Sequence, residues 1–293
     1  MQRVEKKMES DVQKVARLAM RLGRKHLEDY GAVTSRHDFT QRQLMACLVL
    51  RTYLKSTYRA VMELIGGSEV LRAELGFEAG KLPHYSTLAK FSARSAVPQI
   101  VQQMILTLGS ACAGPGRPTQ AAAMDSTGLS AGGASEYFRG CTGKPSQKWV
   151  KVSLMVWCTS LLPMALCVDL RPGNDRAQVP ALLAQGRQCG VPSRLYADAG
   201  YDAEWIHKEC HESWGVPSVI NPFRQRKDGT RGGHYRSQMS PEYLQQCGYG
   251  QRWAVESFFS AMKRKVGATL AARTSHQLLA EAACKVLAYS IHR

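Results

Sequence analysis

YGQRWAVESFFSAMK, residues 249–263, is the stretch on which the fold and function of the whole chain depend. Its polar side chains recur at intervals of three, four and seven residues: Tyr249, Arg252, Glu256 and Lys263. At about 100° per residue, these intervals place them within a sector of roughly 60° on one helix face. An apolar stripe lies about a quarter-turn away: Val255, Phe259, Met262 and Val266. The stretch therefore predicts a helix with one carboxylate between cations and a phenol, although Gly248 and Gly250 leave open whether Tyr249 lies inside it.

The face that carries Glu256 has two interpretations. It could hold a metal ion against a phosphate. It could equally be the solvated side of an ordinary amphipathic helix with an Arg252–Glu256 pair one turn apart. This stretch alone is compatible with both, so the rest of the chain has to separate them.

Upstream of this helix, short apolar runs alternate with helical patterns. Five runs predict strands: AAAMDSTGL, KWVKVSLMVW, MALCVDL, RLYADAGYD and PSVINPF. We expect the first strand to end at Asp125 and the fourth at Asp198. Three strands, a helix, a strand, a helix, a strand, a loop and a helix is the order of an RNase H-like fold. The predicted class is therefore α/β, with a mixed five-stranded sheet, flanking helices and an all-helical region before it.

Two helices are expected between these strands. Asn174 or Asp175 would cap the first, over 177–186, and Asp202 would cap the second, AEWIHKECHESWG. Short polar side chains at these positions can accept hydrogen bonds from the first free backbone N–H groups of a helix.

Residues 1–110 predict helices throughout. The first helix begins at Ser10 or Asp11. A second helix, capped by Thr40, is expected to run without a break to the glycine pair at 66–67.

A shorter helix is expected within LPHYSTLAKFSAR, residues 82–94, beginning at Tyr85 or Ser86. It would carry polar side chains outward: Thr87, Lys90 and Arg94. Short helices of this kind suit a DNA-reading helix-turn-helix, but ordinary packing helices explain the pattern as well.

The Gly/Pro-rich segment SACAGPGRPTQ, residues 110–120, is the clearest change of composition along the chain. We therefore expect three parts. A helical domain covers residues 1–110, a linker covers 111–120, and an α/β domain covers 121–293.

The charge of the chain points to a polyanionic partner. The 293 residues carry a formal net charge of +16, which favours nucleic acid or an anionic membrane. The longest apolar run, residues 152–168, contains polar residues and a proline, which disfavours a membrane span. Nine cysteines without a CxxC pair, and an N-terminus without an apolar signal core, indicate reduced thiols and a cytoplasmic protein without membrane contact. A zinc site from His207, Cys210, His211 and Cys247 is disfavoured because its spacing matches no common module.

Three carboxylates can converge in the predicted fold. Asp125 and Asp198 end two strands and Glu256 lies on the following helix, so together they could bind hard divalent cations such as Mg²⁺ or Mn²⁺. Two such ions activate a nucleophile and stabilise the leaving oxygen in phosphoryl transfer. Arg252 and Lys263 on the same helix face would then clamp a phosphate.

Each acid also has a plainer interpretation. Asp125 precedes Ser-Thr-Gly and could initiate a turn, while Asp169 also ends a strand and is the reserve candidate for the cluster. A basic loop over 224–236 could track a DNA backbone or could simply be solvated: Arg224, Arg226, Lys227, Arg231 and Arg236. Trp253 could stack on a base or be buried.

The spacing of Tyr249, Arg252, Glu256 and Lys263 matches without a gap the YREK signature of DDE transposases from bacterial insertion sequences. RWAVESFFSAMKRKVG resembles the third catalytic block of the insertion sequence 5 family, within the insertion sequence 5 and 4 superfamily. YADAGYD is similar to its second block, AMDSTGL to its first, and LPHYSTLAKF to its N-terminal helical region. The resemblance covers most of residues 40–293.

This resemblance implies an RNase H-like core with Asp125, Asp198 and Glu256 as the metal-binding triad. It implies that Tyr249, Arg252 and Lys263 contact DNA phosphates near the scissile end. It further implies a bacterial, nucleoid-associated DNA transposase whose residues 1–110 bind the terminal inverted repeats of its element. Such an enzyme cuts and joins DNA with Mg²⁺ or Mn²⁺, as two ions, and acts as a homodimer or higher assembly on target DNA.

Two other classes stay open. A metal-dependent nuclease of the same fold would cut DNA without joining it. A non-catalytic DNA-binding descendant of a transposase would bind the ends without metal-dependent activity, although the intact triad argues against it.

Overall fold

The computed structural model of the protein describes residues 9–32, 34, 36–113, 120–131, 149–170, 173–222 and 232–293. The α-helices in these ranges are α1 Asp11–His26, α2 Gln41–Tyr53, α3 Tyr58–Gly67, α4 Glu69–Leu75, α5 Tyr85–Ser92, α6 Val97–Ser110, α7 Val179–Cys189, α8 Glu204–Lys208, α9 Pro241–Gln246, α10 Trp253–Val266 and α11 Ser275–His292. The strands are β1 Ala122–Ala131, β2 Trp149–Trp157, β3 Pro163–Asp169, β4 Leu195–Ala197, β5 Ser218–Ile220 and β6 Thr269–Leu270.

The N-terminal helices begin at side chains that can cap them. Ser10 and Thr40 each form a reciprocal capping box with the glutamine three residues later, which satisfies two backbone N–H groups at the start of α1 and of α2. His84 caps α5, which begins at Tyr85 as predicted.

The predicted unbroken helix from Thr40 to the glycine pair is wrong. The structure has two helices there, α2 and α3, because Thr57 caps a new helix at Tyr58. Lys55 between them takes the left-handed conformation, with φ of 53°, which interrupts the helical path of the backbone.

The sheet is mixed, as predicted, in the order β3-β2-β1-β4-β5. β1 pairs antiparallel with β2 and parallel with β4, which in turn pairs parallel with β5. A sixth strand, β6, pairs with the far end of β1 and was not expected, because two residues carry no alternating pattern. The prediction that the first strand ends at Asp125 is also wrong, since β1 continues to Ala131 by pairing with β2 and β6.

Each face of the sheet is covered by helices. Alternate residues of β1 point to opposite faces, so Ala123 packs in the cluster with α10 and α11, and Met124 packs with α7 and α8. The same alternation in β4 places Tyr196 on the α10 side and Ala197 on the α7 side. These two faces decide where the polar side chains that follow can lie.

The helices between strands differ in detail from the prediction. Asn174 caps a short 3₁₀ turn, Asp175–Gln178, which leads into α7, so the α-helix starts two residues later than expected. Asp202 does not cap α8, because the cap position is Ala203 and the Asp202 side chain is buried in an ion pair with Arg236. The second helix is also short, and it continues as one π-helical turn over Glu209–Ser213.

The helical region and the sheet share a hydrophobic core. Ten consecutive residues of α2, Leu44 to Tyr53, are buried, so this helix is enclosed on every side. It packs against α1, α3, α5 and the last helix, α11. The proposed boundary at 111–120 lies partly outside the described residues, and the division into domains stays a prediction. None of the helices in the described ranges is long and apolar enough to cross a membrane.

Candidate active site

Strands β1 and β4 bring Asp125 and Asp198 to the same level of the sheet. The two strands are parallel, with Ala122 opposite Leu195 and Met124 opposite Ala197. Asp125 and Asp198 are the next residue on each strand, so they lie side by side where β4 ends. Asp125 has the parity of Ala123 and therefore points to the face covered by α10.

Backbone N–H groups orient both carboxylates. Asp125 Oδ1 accepts a hydrogen bond of 2.7 Å from the N–H of Ser126, and Asp198 Oδ1 accepts one of 2.9 Å from the N–H of Gly200. In each case the acceptor is the Oδ1 atom.

Helix α10 and the turn before it place Tyr249, Arg252, Glu256 and Lys263 beside this pair of acids. Its apolar stripe is buried as predicted, and Phe258 is buried beside it. Tyr249 and Arg252 lie before α10 in a 3₁₀ turn, which settles the position of Tyr249 that the glycines had left open. Tyr249 and Arg252 still lie next to the acids, as predicted for a continuous helix, because the turn runs directly into α10.

Two hydrogen bonds anchor this element to the strands. The Tyr249 hydroxyl donates to the carbonyl of Ala197 at 3.1 Å, one residue before Asp198. Lys263 Nζ donates to Thr127 Oγ1 at 2.6 Å, two residues after Asp125 and on the same face. The two ends of the segment therefore contact β4 and β1, and Glu256 lies between them.

Arg252 pairs with Glu256 in the predicted i,i+4 arrangement, with 2.5 Å between Nη1 and Oε1. The Glu256 side chain is 48% exposed and the Arg252 side chain 16% exposed. The Arg252 guanidinium also lies 5.8 Å from the centre of the Tyr249 ring. The cation is thus held between the phenol and the carboxylate.

The acids act on one another electrostatically. Burial raises the pKa of Asp125 to about 6, and the negative charges of Asp198 and Glu256 add to the increase. Burial also raises the pKa of Asp198, with further contributions from Asp175 and Glu256. Arg252 opposes both shifts. A divalent cation would relieve the same repulsion.

The donor set fits a hard divalent ion, since it consists of carboxylate oxygens that are close enough to raise each other's pKa. Within the described ranges, no three His, Cys, Asp or Glu side chains are already arranged around one metal position. Glu256 is instead paired with Arg252. The carboxylates that would hold an ion are therefore neighbours, but the Glu256 side chain is paired with Arg252.

The sequence did not indicate two residues beside this site, Asp175 and Lys151. Asp175 was expected only as a possible helix cap. Lys151 lies within the apolar strand β2, and its side chain is 4% exposed and bonded to Asp175. A lone cation in an otherwise apolar strand is the signal that could have identified the pair.

A pocket of about 650 Å³ opens beside Asp198. Its lining includes Asp175, Arg176, Gly200, Asp202 and Arg236. Arg236, one of the cations of the predicted basic loop, makes two hydrogen bonds of 2.6 Å to the buried carboxylate of Asp202. Its charge is therefore matched within the protein, which disfavours a role in tracking DNA.

The other cations predicted on the basic loop lie outside the described residues: Arg224, Arg226, Lys227 and Arg231. Trp253 is 66% exposed next to Arg252, which favours the stacking interpretation over burial. The reserve acid Asp169 ends β3, where it pairs with Lys151 of β2, and Lys151 in turn pairs with Gly128 of β1. Asp169 therefore lies two strands away from Asp125 and three residues further along β1. His207 and His211 both contact Ser218, and no zinc cluster forms among the described residues.

Comparison with protein families matches residues 116–291 to the transposase DDE domain. Among solved structures, the chain is similar to the piggyBac transposase in a cryo-EM structure of its synaptic complex with hairpin DNA. The identity is 12% and the TM-score 0.50, over 97% of this chain and 72% of that one. At this identity the likeness is one of fold. A search of curated proteins found no match.

Proposed function

Because this chain belongs to the family of transposases with a DDE domain, we propose that Asp125, Asp198 and Glu256 are the triad with which it cuts and joins DNA. The chain is a DNA transposase with an RNase H-like fold. The observation that carries the assignment of the triad is the parallel register of β1 and β4. It puts two aspartates side by side, on the face over which α10 carries the glutamate.

Transposases of this family depend on divalent metal ions. We assign Mg²⁺ or Mn²⁺, as two ions, to the three carboxylates, since these cations prefer oxygen ligands. When bound, such ions activate the attacking oxygen and stabilise the leaving oxygen of an in-line phosphoryl transfer. The carboxylates would orient them, and the backbone N–H groups of Ser126 and Gly200 keep the two aspartates in place.

Cations on the same element suit contact with the DNA backbone. Arg252 pairs with Glu256 of the triad and can hydrogen-bond a phosphate with two N–H groups. Lys263, which contacts Thr127 of β1, would offer a single positive charge. The Tyr249 hydroxyl already donates to the carbonyl of Ala197, so it fixes the turn beside Asp198. Exposed Trp253 is available for stacking on a base.

We assign the chain to the insertion sequence 5 and 4 superfamily on the YREK spacing of these residues. By that assignment it binds the terminal inverted repeats of its own element through the helical region 1–110, while the basic loop follows the DNA backbone with Arg224, Arg226, Lys227 and Arg231. It then exposes a 3′-OH that attacks target DNA. The active form would be a homodimer or larger assembly on paired ends, in the cytoplasm of a bacterium.

The test is cleavage and joining of a labelled DNA that carries the inverted repeat flanking the gene, with Mg²⁺ or Mn²⁺. Wild type is compared with Glu256→Gln, which keeps the size of the side chain and removes its charge. We expect metal-dependent joining by wild type and its loss in the variant, with binding to the DNA end retained by both.

Other outcomes would contradict the proposal. Cutting without joining of a pre-cut end would identify a nuclease of the same fold. End binding without metal-dependent cleavage would identify a DNA-binding descendant. Full activity of Asp125→Asn or Asp198→Asn would remove that residue from the triad.

A further inference from the structure

Asp175 lies beside the triad although it ends no strand. It is the first residue of the 3₁₀ turn before α7, so it approaches the sheet from the α7 side, opposite to α10. Its Oδ1 atom accepts a hydrogen bond from Ser126 Oγ and forms an ion pair of 2.6 Å with Lys151 Nζ. Ser126 directly follows Asp125, so Asp175 is attached to the strand that carries the first acid of the triad.

Lys151 fixes the orientation of Asp175. Its Nζ also donates to the carbonyl of Gly173 at 2.7 Å, so the ammonium group holds the chain on both sides of the capping residue. A buried ammonium is costly unless it is paired, which makes departure of Asp175 from this position unfavourable. One oxygen of Asp175 is thereby committed to the protein.

The other oxygen lies beside Gly200, as does the carboxylate of Asp198. A Cβ built on Gly200 would lie 3.5 Å from Asp175 Oδ2 and 3.1 Å from Asp198 Oδ1. Both carboxylates therefore border the same glycine, where a larger side chain would crowd them. Asp198 therefore has three acidic neighbours, Asp125 and Glu256 on one side and Asp175 on the other.

A buried tyrosine hydroxyl lies in the same place. Tyr201 is fully buried, and its hydroxyl interacts with the Ser126 side chain but makes no well-formed hydrogen bond among the described residues. The charges of Asp175, Asp125 and Asp198 all act on this hydroxyl, which locates it at the acidic group. A buried hydroxyl without a well-formed hydrogen bond costs free energy, and a bound water would satisfy it.

We propose that Asp175 is a fourth carboxylate of the metal site, which holds a hydrated divalent ion together with Asp198, and that the Tyr201 hydroxyl bonds to a water of that ion. The proposal rests on the triad assigned above. Oxygen ligands and retained water suit Mg²⁺ or Mn²⁺. Lys151 offsets the charge of Asp175, so a fourth acid does not leave the site with an excess of unmatched negative charge.

The competing explanation is that the Lys151–Asp175 pair only attaches the 3₁₀ turn to the sheet. That explanation predicts a loss of stability without a change in affinity for metal. The two are separated by measuring metal binding and unfolding on the same variants.

The experiment is titration of the full-length protein with Mn²⁺ alone, by calorimetry, together with thermal unfolding in the presence of a chelator. We expect Asp175→Asn to weaken Mn²⁺ binding by about 10- to 100-fold, the range found for residues that support metal ligands. Asp175→Glu keeps the charge and should recover part of the affinity. Asp38→Asn, which changes an exposed acid in the loop before α2, should leave the affinity unchanged.

Tyr201→Phe provides a second variant that removes only the hydroxyl. It should raise the thermal stability of the metal-free protein, because an unsatisfied buried group is gone, and weaken Mn²⁺ binding several-fold. If Asp175→Asn does not fold, this variant decides. Unchanged Mn²⁺ affinity in Tyr201→Phe, or in folded Asp175→Asn, would overturn the inference. Absence of Mn²⁺ binding by wild type, or binding unaffected by Glu256→Gln, would instead count against the assignment of the triad.

Discussion

The most informative single residue is Asp125, whose carboxyl group is more buried than that of its partners in the site. Its pKa rises from an ordinary value of 3.8 to about 6, chiefly because burial disfavours the charged form. Between about pH 4 and pH 6, the folded protein therefore binds more protons at this group than the unfolded chain does. The contribution of Asp125 to folding stability must fall as the pH rises through this window, and the charged form destabilises the metal-free protein above it.

This fall in stability with rising pH leads to a prediction for Asp125→Asn, whose side chain is neutral at every pH. We expect the metal-free variant to unfold a few degrees above wild type at pH 7, and the difference to shrink towards zero at about pH 4. Thermal unfolding with a chelator at several pH values measures it. Asp38→Asn, an exposed acid far from the site, is the control. A variant less stable than wild type at pH 7 would show that Asp125 is stabilised as a carboxylate.

Lys263 gives a second prediction at this scale. Its ammonium group is half-buried against Thr127, so it is held in place before DNA arrives. Replacing Lys263 with Ala should weaken binding to a DNA end and reduce the slope of log affinity against log salt by about one phosphate contact. Lys208→Ala, which removes an exposed lysine at the end of α8 and outside the helical region 1–110, should leave the slope unchanged. Equal slopes for Lys263→Ala and wild type would exclude a direct phosphate contact.

At the scale of elements, the last residues of the basic loop are held by α8. The two oxygens of Glu204 accept hydrogen bonds of 3.1 Å from the backbone N–H groups of Tyr235 and Arg236. Gly233 has φ of 108°, and a Cβ there would overlap the Glu204 carboxylate. Glycine is therefore required at this position for both its conformation and its size.

Gly233→Ala should accordingly release this segment from α8. We expect faster hydrogen exchange at the amides of Tyr235 and Arg236, with the amides of the central strands β1 and β2 protected as in wild type. Gly67→Ala, at a position where an added Cβ contacts nothing within 4 Å, serves as the control. Unchanged exchange in Gly233→Ala would mean that the Glu204 contacts do not hold the segment.

Which elements the sequence predicts depends on the strength of their periodic signal. Helix α10 has both a polar and an apolar stripe, and the strands are rich in Val and Leu, so the order of elements and the neighbouring acids follow from pattern alone. The two-residue strand β6 has no pattern, and the break between α2 and α3 depends on a competing cap at Thr57. Asp202 satisfies the rule for a helix cap, yet tertiary pairing with Arg236 determines its place. Asp175 could not be found this way because its importance arises from contacts with Ser126 and Lys151, which are 49 and 24 residues distant in sequence.

At the scale of the whole molecule, the N-terminal helices pack against the last helix. Helix α2 is enclosed by other helices, including the C-terminal α11, and α11 also packs on α10, which carries Glu256. The N-terminal helices therefore share a core with the element that carries Glu256 of the proposed triad. If they read the DNA ends, as proposed, their position relative to the triad is set by a shared apolar core and not by the linker.

This shared core leads to a prediction that also tests the expected division into domains. A protease site placed within residues 114–119 allows the folded chain to be cut between α6 and β1. We expect the two fragments to remain associated in gel filtration and to unfold in one transition, because separation would expose the apolar faces of α2 and α11 to water. Mild denaturant that unfolds the complex should separate them. Two fragments that part in native buffer while each stays folded would show independent domains, and the geometry between the DNA-reading helices and the triad would then depend on the linker.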